Sequence, residues 1–282
     1  MPQLNKAFDL HHGDTGTPIL HYRLLSGYPD LIHGVFTRKG GVSAPPFDQL
    51  NTSYSVGDQP DRVASNLRII QAALDAPCLA TMNQCHGIDV HLLKGHHLRK
   101  PLISPAADAT ITDLPDAAVL VKQADCQAVI LFDPENHVTA NVHCGWRGNV
   151  NNILGKVVLT MRRAYGSSPD HIVAAIGPSL GPCCAEFVDH KTLFPETFDA
   201  FRVGEDHFDL WALSRHQLLM AGLRTENIVC AKICTRCRTD LFFSYRGEGT
   251  TGRFGTVVMI RKTREKDMAE PLKARQEMLF IA

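Results

Sequence analysis

The sequence predicts a single α/β domain in which short buried strands alternate with amphipathic helices. Of its 282 residues, 44% are hydrophobic, which allows the chain to bury a substantial core. No internal repeat and no long linker rich in Pro, Gly or Ser divides the chain. The clearest unit begins at Val138, where an alternating apolar strand runs through a glycine-rich turn into an amphipathic helix that stops at Gly166. Together these features favour one domain over two.

The remaining elements follow from hydrophobic periodicity and turn residues. Helices are predicted at 61–74, 150–164 and 210–221. Strands are predicted at 31–37, 88–92, 107–112, 117–121, 128–132, 138–143, 172–176, 228–233 and 256–260. We expect a loosely ordered N-terminal extension at 1–30, the single domain at 31–262, and a charged, solvated tail at 263–282.

The charge balance argues against a polyanionic partner. Lys plus Arg and Asp plus Glu both number 29, so the chain lacks the basic excess that favours binding to nucleic acid or an anionic membrane. We therefore expect a small-molecule substrate. No apolar run approaches the ~18 residues of a membrane span, and the first residues lack a signal-peptide pattern, so we expect a cytoplasmic protein. In that compartment some of the nine cysteines are predicted to serve metal binding or thiol chemistry rather than disulfides.

Side chains that can bind a metal or take part in catalysis lie at the ends of two predicted strands. His143 and Arg147 lie on the connection between a strand and the following helix, a kind of segment where function concentrates. Asp125 and Cys126 lie just before the preceding strand. If the two strands pair as a hairpin across the turn between them, Cys126 and His143 come side by side.

Histidine and cysteine are favoured zinc ligands, and a catalytic zinc site uses three protein ligands with a fourth position open. His86, Cys126 and His143 all lie at strand-turn junctions. Their spacing is dispersed, and no H-E-x-x-H motif places two ligands on one helical face. From the residues alone, a metal site and a buried structural thiol with two ordinary histidines both remain open.

Two further features have competing interpretations. Arg38 opens a basic, glycine-rich turn that can bind an anion through its backbone N–H groups, although a solvated hairpin turn explains the same residues. The C-x-x-C at Cys234 and Cys237 has no second C-x-x-C, so a zinc ribbon is not favoured. The adjacent Cys183 and Cys184 are predicted to pack as small hydrophobes.

Six motifs occur in order along the chain. They are FTRKGGVS (36–43), NQCHGIDV (83–90), ADCQAVIL (124–131), VHCGWRGN (142–149), AIGPSLGPCCAEF (175–187) and FFSYRGEGTTGR (242–253). Together they closely resemble the YfiH/YlmD family, also called the laccase-domain or polyphenol oxidase family, over nearly the whole chain. The resemblance implies an α/β fold of the α+β type, with mixed β-sheets flanked by helices. It also implies one zinc ion on His86, Cys126 and His143.

The resemblance implies two alternative activities. One is a copper-dependent oxidation of phenols, and the other is phosphorolysis of adenosine, inosine and S-methyl-5′-thioadenosine together with deamination of adenosine. A multicopper oxidase needs several metals held mainly by histidines, typically in H-x-H pairs, and this sequence has no H-x-H. Zinc-dependent nucleoside chemistry is therefore the favoured interpretation, with copper as the alternative cofactor.

The nucleoside interpretation assigns roles to particular residues. In zinc deaminases a water of lowered pKa attacks the base while a carboxylate shuttles protons, and Asp125 is the candidate here, next to Cys126. Phosphorolysis requires cations that hold phosphate, and the guanidiniums available are those of Arg38, Arg147 and Arg246. The last predicted substrate contact is a hydrogen bond from Asn51.

Some positions depart from the family pattern. Cys85 and Cys144 replace a usual valine and alanine beside the ligand histidines, and Ala185 replaces a usual tyrosine. Gly247 and Glu248 stand where arginine and aspartate are usual. Two other interpretations stay open: a non-catalytic nucleotide-binding module with a closed zinc site, and a metal-free cysteine hydrolase that uses the thiol and histidine of the proposed ligand set.

Overall fold

The structure is a computed structural model that describes residues 7–12, 16–95 and 105–262. Its strands are β1 (Phe8–His12), β2 (Pro18–Tyr22), β3 (Leu31–Phe36), β4 (Cys78–Thr81), β5 (Val90–Leu92), β6 (Ala109–Thr112), β7 (Ala117–Gln123), β8 (Gln127–Asp133), β9 (Val138–Cys144), β10 (Val173–Ile176), β11 (Arg202–Val203), β12 (His207–Phe208), β13 (Ile228–Cys230) and β14 (Phe254–Ile260). Its α-helices are α1 (Arg23–Ser26), α2 (Pro60–Ala73), α3 (Trp146–Val150), α4 (Ile153–Tyr165), α5 (His190–Leu193), α6 (Leu210–Met220) and α7 (Tyr245–Glu248).

Most strands belong to two mixed six-stranded sheets. The first has the order β1-β2-β3-β14-β7-β4 and the second the order β13-β10-β8-β9-β6-β5. The pairs β4 with β7, β5 with β6, and β10 with β13 are parallel, and the other neighbours are antiparallel. The predicted α+β arrangement of mixed sheets and flanking helices is confirmed.

The two sheets pack face to face, and helices cover their outer faces. One apolar cluster joins Val35 and Phe254 of the first sheet to Ile130 of the second. Separate clusters place α2 against the other face of the first sheet, and α4 with α6 against the other face of the second. Because both faces of the central strands are covered, β8 is buried throughout its length and reads as a nearly continuous apolar run. Asn141 joins the sheets by donating from Nδ2 to the carbonyls of Val119 and Thr256, at 2.9 Å each.

The N-terminal segment differs from the expected loose extension. In its described part, β1 and β2 pair antiparallel, and β2 pairs with β3 at the edge of the first sheet. Phe8, Leu20 and Tyr22 lie buried in the cluster between the sheets. These short strands escaped prediction because their polar residues interrupt the apolar alternation, whereas their burial depends on the distant second sheet. The predicted tail at 263–282 lies outside the described residues, and the domain limits remain a prediction.

The strand-to-helix unit that ends at Gly166 positions the candidate site. Strands β8 and β9 form the predicted hairpin, with Ala128 opposite His143. The helix expected from residue 150 begins at Ile153 instead, because Asn152 takes a left-handed conformation and accepts a capping bond from the Gly155 N–H at 3.1 Å. Within the described ranges, no helix combines the length and apolar composition that crossing a membrane requires.

Candidate functional site

Three side chains that could bind a metal ion converge at one end of the β8–β9 hairpin. The ligand atoms of His86, Cys126 and His143 all lie within 4.8 Å of one another. Cys126 directly precedes β8 and His143 lies near the end of β9, so the hairpin register brings them together. His86 reaches them from the loop between β4 and β5, where its φ of 59° places it in the left-handed region.

This group fits a metal ion. Nitrogen and sulfur atoms that bind one tetrahedral zinc ion lie about 3.3–3.6 Å apart, so side-chain adjustments of about 1 Å bring all three atoms into range. A thiolate and two imidazoles suit zinc or another borderline-soft cation. Cys144 is not a member of the group, and neither is Cys85. In the described part of the chain, the group therefore offers three side chains to a metal and not four.

Asp108 is a central site residue that the sequence interpretation missed. Its side chain is fully buried and accepts a hydrogen bond from His143 Nδ1 at 2.8 Å. It also accepts from the backbone N–H groups of His86 and Gly87, at 2.9 and 2.7 Å, and from the Cys85 thiol at 3.1 Å. Because His143 Nδ1 is hydrogen-bonded to the Asp108 carboxylate, Nε2 is the His143 nitrogen that remains to bind a metal. Asp108 directly precedes β6, and a carboxylate beside this short buried strand was the available signal.

The charges at the site stabilise one another. Burial raises the pKa of the Cys126 thiol, but the His143 charge and hydrogen bonds from His143 and His86 outweigh it and bring the pKa to about 6. Burial lowers the pKa of His143, but the Cys126 charge and the Asp108 hydrogen bond raise it to about 9. Burial also opposes ionisation of Asp108, yet hydrogen bonds from His143, Cys85 and Gly87 bring its pKa to about 2. The metal-free site thus holds a thiolate beside an imidazolium.

We predict that, without a metal, the Cys126 thiolate and the His143 imidazolium are both charged only between about pH 6 and 9. The pKa of Cys126 is depressed from 9.0, so its contribution to stability is present above pH 9.0 and is lost as the pH falls through about 6. The pKa of His143 is raised from 6.5, so its contribution is present below pH 6.5 and is lost as the pH rises through about 9. Thiolate absorbance of the metal-free protein, minus that of Cys126→Ala, should show a midpoint near pH 6. A midpoint near 9, unchanged by His143→Ala, would contradict this pairing.

Gly145 leaves room for the ligands. A Cβ at this position would lie 3.0 Å from Cys126 Sγ and 3.3 Å from His86 Cδ2. We predict that Gly145→Ala lowers metal affinity by about 10–100-fold, the range typical of changes around metal ligands, as measured by competition with a chelator. Gly95→Ala is a matched control, because its Cβ would meet Leu114 at an ordinary 3.8 Å. Equal affinities for the two variants would show that this space is not required.

A cavity of about 560 Å³ opens beside the three ligands. This volume lies within the range of small-molecule sites. Apolar and aromatic side chains in its wall are those of Trp146, Leu180, Phe187, Leu210 and Tyr245. The cationic side chains in its wall are those of Lys122, Arg147, Arg246 and Arg253. The cavity can therefore hold a flat apolar ring system and an anionic group together.

Asp125 lines the cavity and joins three loops. Its Oδ1 accepts from the hydroxyls of Thr235 and Ser244, at 2.7 Å each, and its Oδ2 accepts from the Arg246 backbone N–H at 2.6 Å. The Asp125 carbonyl accepts from the Leu180 N–H at 2.9 Å. A carboxylate has about four acceptor positions, so about one remains for a substrate or water. The side chain is thus held rigidly beside the ligand Cys126.

Three arginines face the cavity. Arg147 is exposed and its guanidinium lies 4.4 Å from the Trp146 ring centroid. Arg246 is exposed and donates to the Glu186 carbonyl at 2.9 Å. Arg253, to which the sequence interpretation gave no role, is half-buried, and burial lowers its pKa against the opposing charges of Cys126 and Asp125. Its place at the end of the TTGR segment was the available signal.

Arg38 does not line the cavity. Its guanidinium donates to the Asp48 carbonyl at 2.9 Å and pairs with Glu248 at 2.7 Å, and it lies 4.4 Å from the Phe243 ring centroid. Only 12% of its side chain is exposed. The Arg38 guanidinium thus makes contacts that stabilise the fold. Its role in phosphate binding stays a prediction.

Asn51 is also outside the cavity lining. It is fully buried, donates from Nδ2 to Asp58 at 2.9 Å, and accepts from the backbone N–H groups of Ser53 and Arg253 at 3.1 and 2.9 Å. Ser53 and Arg253 themselves line the cavity. The structure thus places Asn51 behind the wall, and its substrate contact stays a prediction.

Comparisons with known proteins show the family of the chain. Residues 32–261 match the family model described as multi-copper polyphenol oxidoreductase laccase. A Bacteroides thetaiotaomicron protein named purine nucleoside phosphorylase is 30% identical over 262 residues, covering 86% of this chain and 97% of the relative. An Escherichia coli K12 protein named purine nucleoside phosphorylase YfiH is 32% identical over 232 residues, covering 79% of this chain and 91% of the relative.

Solved structures show the same fold. YfiH from Bacillus licheniformis, titled a hypothetical protein, superposes with a TM-score of 0.81 at 26% identity, covering 91% of this chain and 100% of that chain. YlmD from Geobacillus stearothermophilus superposes with a TM-score of 0.79 at 27% identity, covering 92% of this chain and 100% of that chain. The predicted resemblance to YfiH and YlmD is confirmed.

Proposed function

The chain belongs to the multi-copper polyphenol oxidoreductase laccase family, and on that premise we propose that it is a purine nucleoside phosphorylase that also deaminates adenosine. The observation that carries the proposal is a single cavity that combines an open three-ligand group with cationic and aromatic walls. The relatives named purine nucleoside phosphorylase support it. We propose adenosine, inosine and S-methyl-5′-thioadenosine as substrates, with phosphate as co-substrate.

His86, Cys126 and His143 are the residues that we propose hold zinc. A zinc ion there supplies Lewis acidity toward an oxygen of the substrate or of water. Asp108 fixes His143 through Nδ1 and holds the His86 loop through its backbone. The chain's own contribution is thus a site whose ligand orientation is set before substrate arrives.

Phosphorolysis requires the phosphate to be held against the sugar. We assign this role to Arg147 and Arg246, with Arg253, because all three face the cavity and guanidiniums bind phosphate through paired N–H groups. A phosphate oxygen bonds to C1′ of the ribose as the C1′–N9 bond breaks. The purine leaves with the bonding electron pair and takes up a proton. Holding the phosphate in place lowers the entropic part of this barrier.

Deamination uses water instead of phosphate. Water adds to C6 of adenine, and the amino group leaves as ammonia after it gains a proton. We assign the proton transfer to Asp125, which lines the cavity beside Cys126 and has about one acceptor position left. Its three hydrogen bonds fix the direction of that position, so Asp125→Asn should slow deamination without displacing the ligands.

Arg147 gives a prediction that separates the two reactions. We expect Arg147→Gln to raise the KM for phosphate by about 10–100-fold, because it removes a charged hydrogen bond worth about 1.5–3 kcal/mol. The rate of deamination should stay nearly unchanged. Initial rates at varied phosphate concentration measure this. The control is Arg163→Gln, an exposed arginine in the last turn of α4. A parallel loss of both reactions would assign Arg147 to nucleoside binding or to the fold.

Copper-dependent phenol oxidation is the alternative that the family description retains. Among the described residues, the groups able to hold a metal are the His2Cys group of the cavity and a group of four cysteines. Neither resembles the histidine-rich clusters that pass electrons from phenols to oxygen. Metal analysis of the purified protein should therefore find zinc and no copper in the cavity.

The proposed function is tested by incubating the metal-loaded protein with each nucleoside, with and without phosphate, and separating the products by chromatography. We expect free base only when phosphate is present, and inosine from adenosine in both conditions. Zinc bound at the cavity with no turnover in either condition would overturn the proposal. Copper content with phenol-dependent oxygen uptake would establish the alternative.

A further inference from the structure

A second group of possible ligands lies outside the cavity. The sulfur atoms of Cys183, Cys184, Cys234 and Cys237 all lie within 4.8 Å of one another. We propose that this four-cysteine cluster is a structural zinc site. It is independent of the proposed catalytic function, because it shares no residue with the His86–Cys126–His143 group.

The sheet topology explains why the cysteines meet. Strands β10 and β13 are parallel neighbours, so the loops that follow them leave the same edge of the sheet. Ser179 and Cys234 extend this pairing as a parallel bridge, with the Ser179 N–H donating to Ile233 and the Thr235 N–H donating to Ser179. The vicinal cysteines of one loop therefore face the C-x-x-C of the other.

The local geometry suits a tetrahedral ion. The Cys237 sulfur lies 3.6 Å from the sulfurs of both Cys183 and Cys184. In a zinc site with Zn–S distances of about 2.3 Å, neighbouring sulfurs lie about 3.8 Å apart. The backbone N–H groups of Gly181 and Cys237 also donate to the Cys234 sulfur, which fixes its position in the loop. Two of the sulfur–sulfur distances are thus close to this value, and all four sulfurs lie within 4.8 Å of one another.

Other uses of four cysteines fit less well. All four are free thiols, and disulfide sulfurs would be about 2.0 Å apart. A cluster of several irons needs its thiolates spread around it, because they bind different irons, whereas these sulfurs all lie within 4.8 Å of one another. The sequence did not favour a zinc ribbon because it has a single C-x-x-C. The other two cysteines of the cluster are adjacent residues about 50 positions upstream, a spacing that no zinc-ribbon motif contains.

The cluster lies behind one wall of the catalytic cavity. Cys184 and Cys234 are buried in an apolar cluster that also contains Leu180 and Phe187, and both of these line the cavity. Thr235, next to Cys234, donates to Asp125 at 2.7 Å. A zinc ion that ties the two loops together would therefore stabilise the wall and the Asp125 carboxylate without contacting substrate.

Metal content of the full chain, purified under reducing conditions, tests the proposal. We expect two zinc ions per chain in the wild type and in the control Cys78→Ser, a cysteine outside both groups. We expect one in Cys234→Ser/Cys237→Ser, with a lower melting temperature. The His86→Ala/His143→Ala variant should also retain one, and this result does not depend on whether the protein turns over nucleosides. Loss of all zinc from that variant, or iron with sulfide in the wild type, would overturn the proposal.

Cobalt substitution answers the same question if the serine variant does not fold. The Cys126→Ala variant, stripped with a chelator and reloaded with cobalt, should show strong thiolate-to-cobalt charge-transfer absorbance and the visible bands of a tetrahedral tetrathiolate site. The four cysteines are intact in this variant, so the absence of these bands would overturn the proposal. Recovery of the melting temperature when zinc is added back supports a structural role.

Discussion

Cys126→Ala is expected to lose both nucleoside activities by on the order of 10³-fold or more. The substitution removes the only thiolate among the three proposed ligands, and metal Lewis acidity contributes several kcal/mol to such reactions. It also removes the charge that pairs with His143. Phosphorolysis and deamination should fall together, and the zinc of the cavity should be lost.

Cys144→Ala is the matched control for this prediction. Cys144 follows His143 directly and lies at the cavity wall, but strand alternation turns its side chain to the other face of β9, where it is buried in the core. Its activities should stay near those of the wild type. If wild-type turnover survives chelation and is lost in Cys126→Ala, the thiolate acts as a nucleophile and the metal interpretation of the site is wrong.

Asp108→Asn is expected to weaken metal binding by about 10–100-fold, because the carboxylate orients His143 and holds the His86 loop. An amide has one acceptor oxygen and turns an NH2 group toward the same donors. Breaking this buried pair should also cost about 3–5 kcal/mol of unfolding free energy. Chelator competition and urea denaturation measure the two effects.

The control for Asp108→Asn is Asp89→Asn, which removes an exposed carboxylate from the same region. Its ion pair with Lys156 spans 3.8 Å at the surface, so it should change unfolding free energy by less than about 1 kcal/mol. An Asp108→Asn variant with wild-type metal affinity would show that His143 needs no carboxylate to orient it.

The local part of the site followed from the sequence. The β8–β9 hairpin could be predicted because its apolar runs flank a turn, and the register then sets His143 beside Cys126. The helix stop at Gly166 could be predicted because this left-handed position favours glycine. These features depend on residues close together in the chain.

The distant contacts did not follow from the sequence. Arg38 resembles an anion-binding residue within its own turn, but its partner Glu248 lies 210 residues away. Asp108 lies in the strand predicted at 107–112, which gives it no particular role. In the structure its carboxylate accepts from the backbone N–H of His86, a residue of a distant loop. The four cysteines meet only because β10 and β13 are parallel neighbours. In each case the contact depends on tertiary packing that periodicity and motif spacing do not encode.

The activity proposed for the cavity beside His86, Cys126 and His143 is phosphorolysis of purine nucleosides. Its most direct test is phosphorus NMR of the zinc-loaded protein with adenosine and phosphate, with adenine measured in the same sample. We predict that ribose 1-phosphate accumulates in equal amount to adenine, and that Cys126→Ala forms neither. Adenine without ribose 1-phosphate, or no adenine at all from zinc-loaded protein, would contradict the proposal.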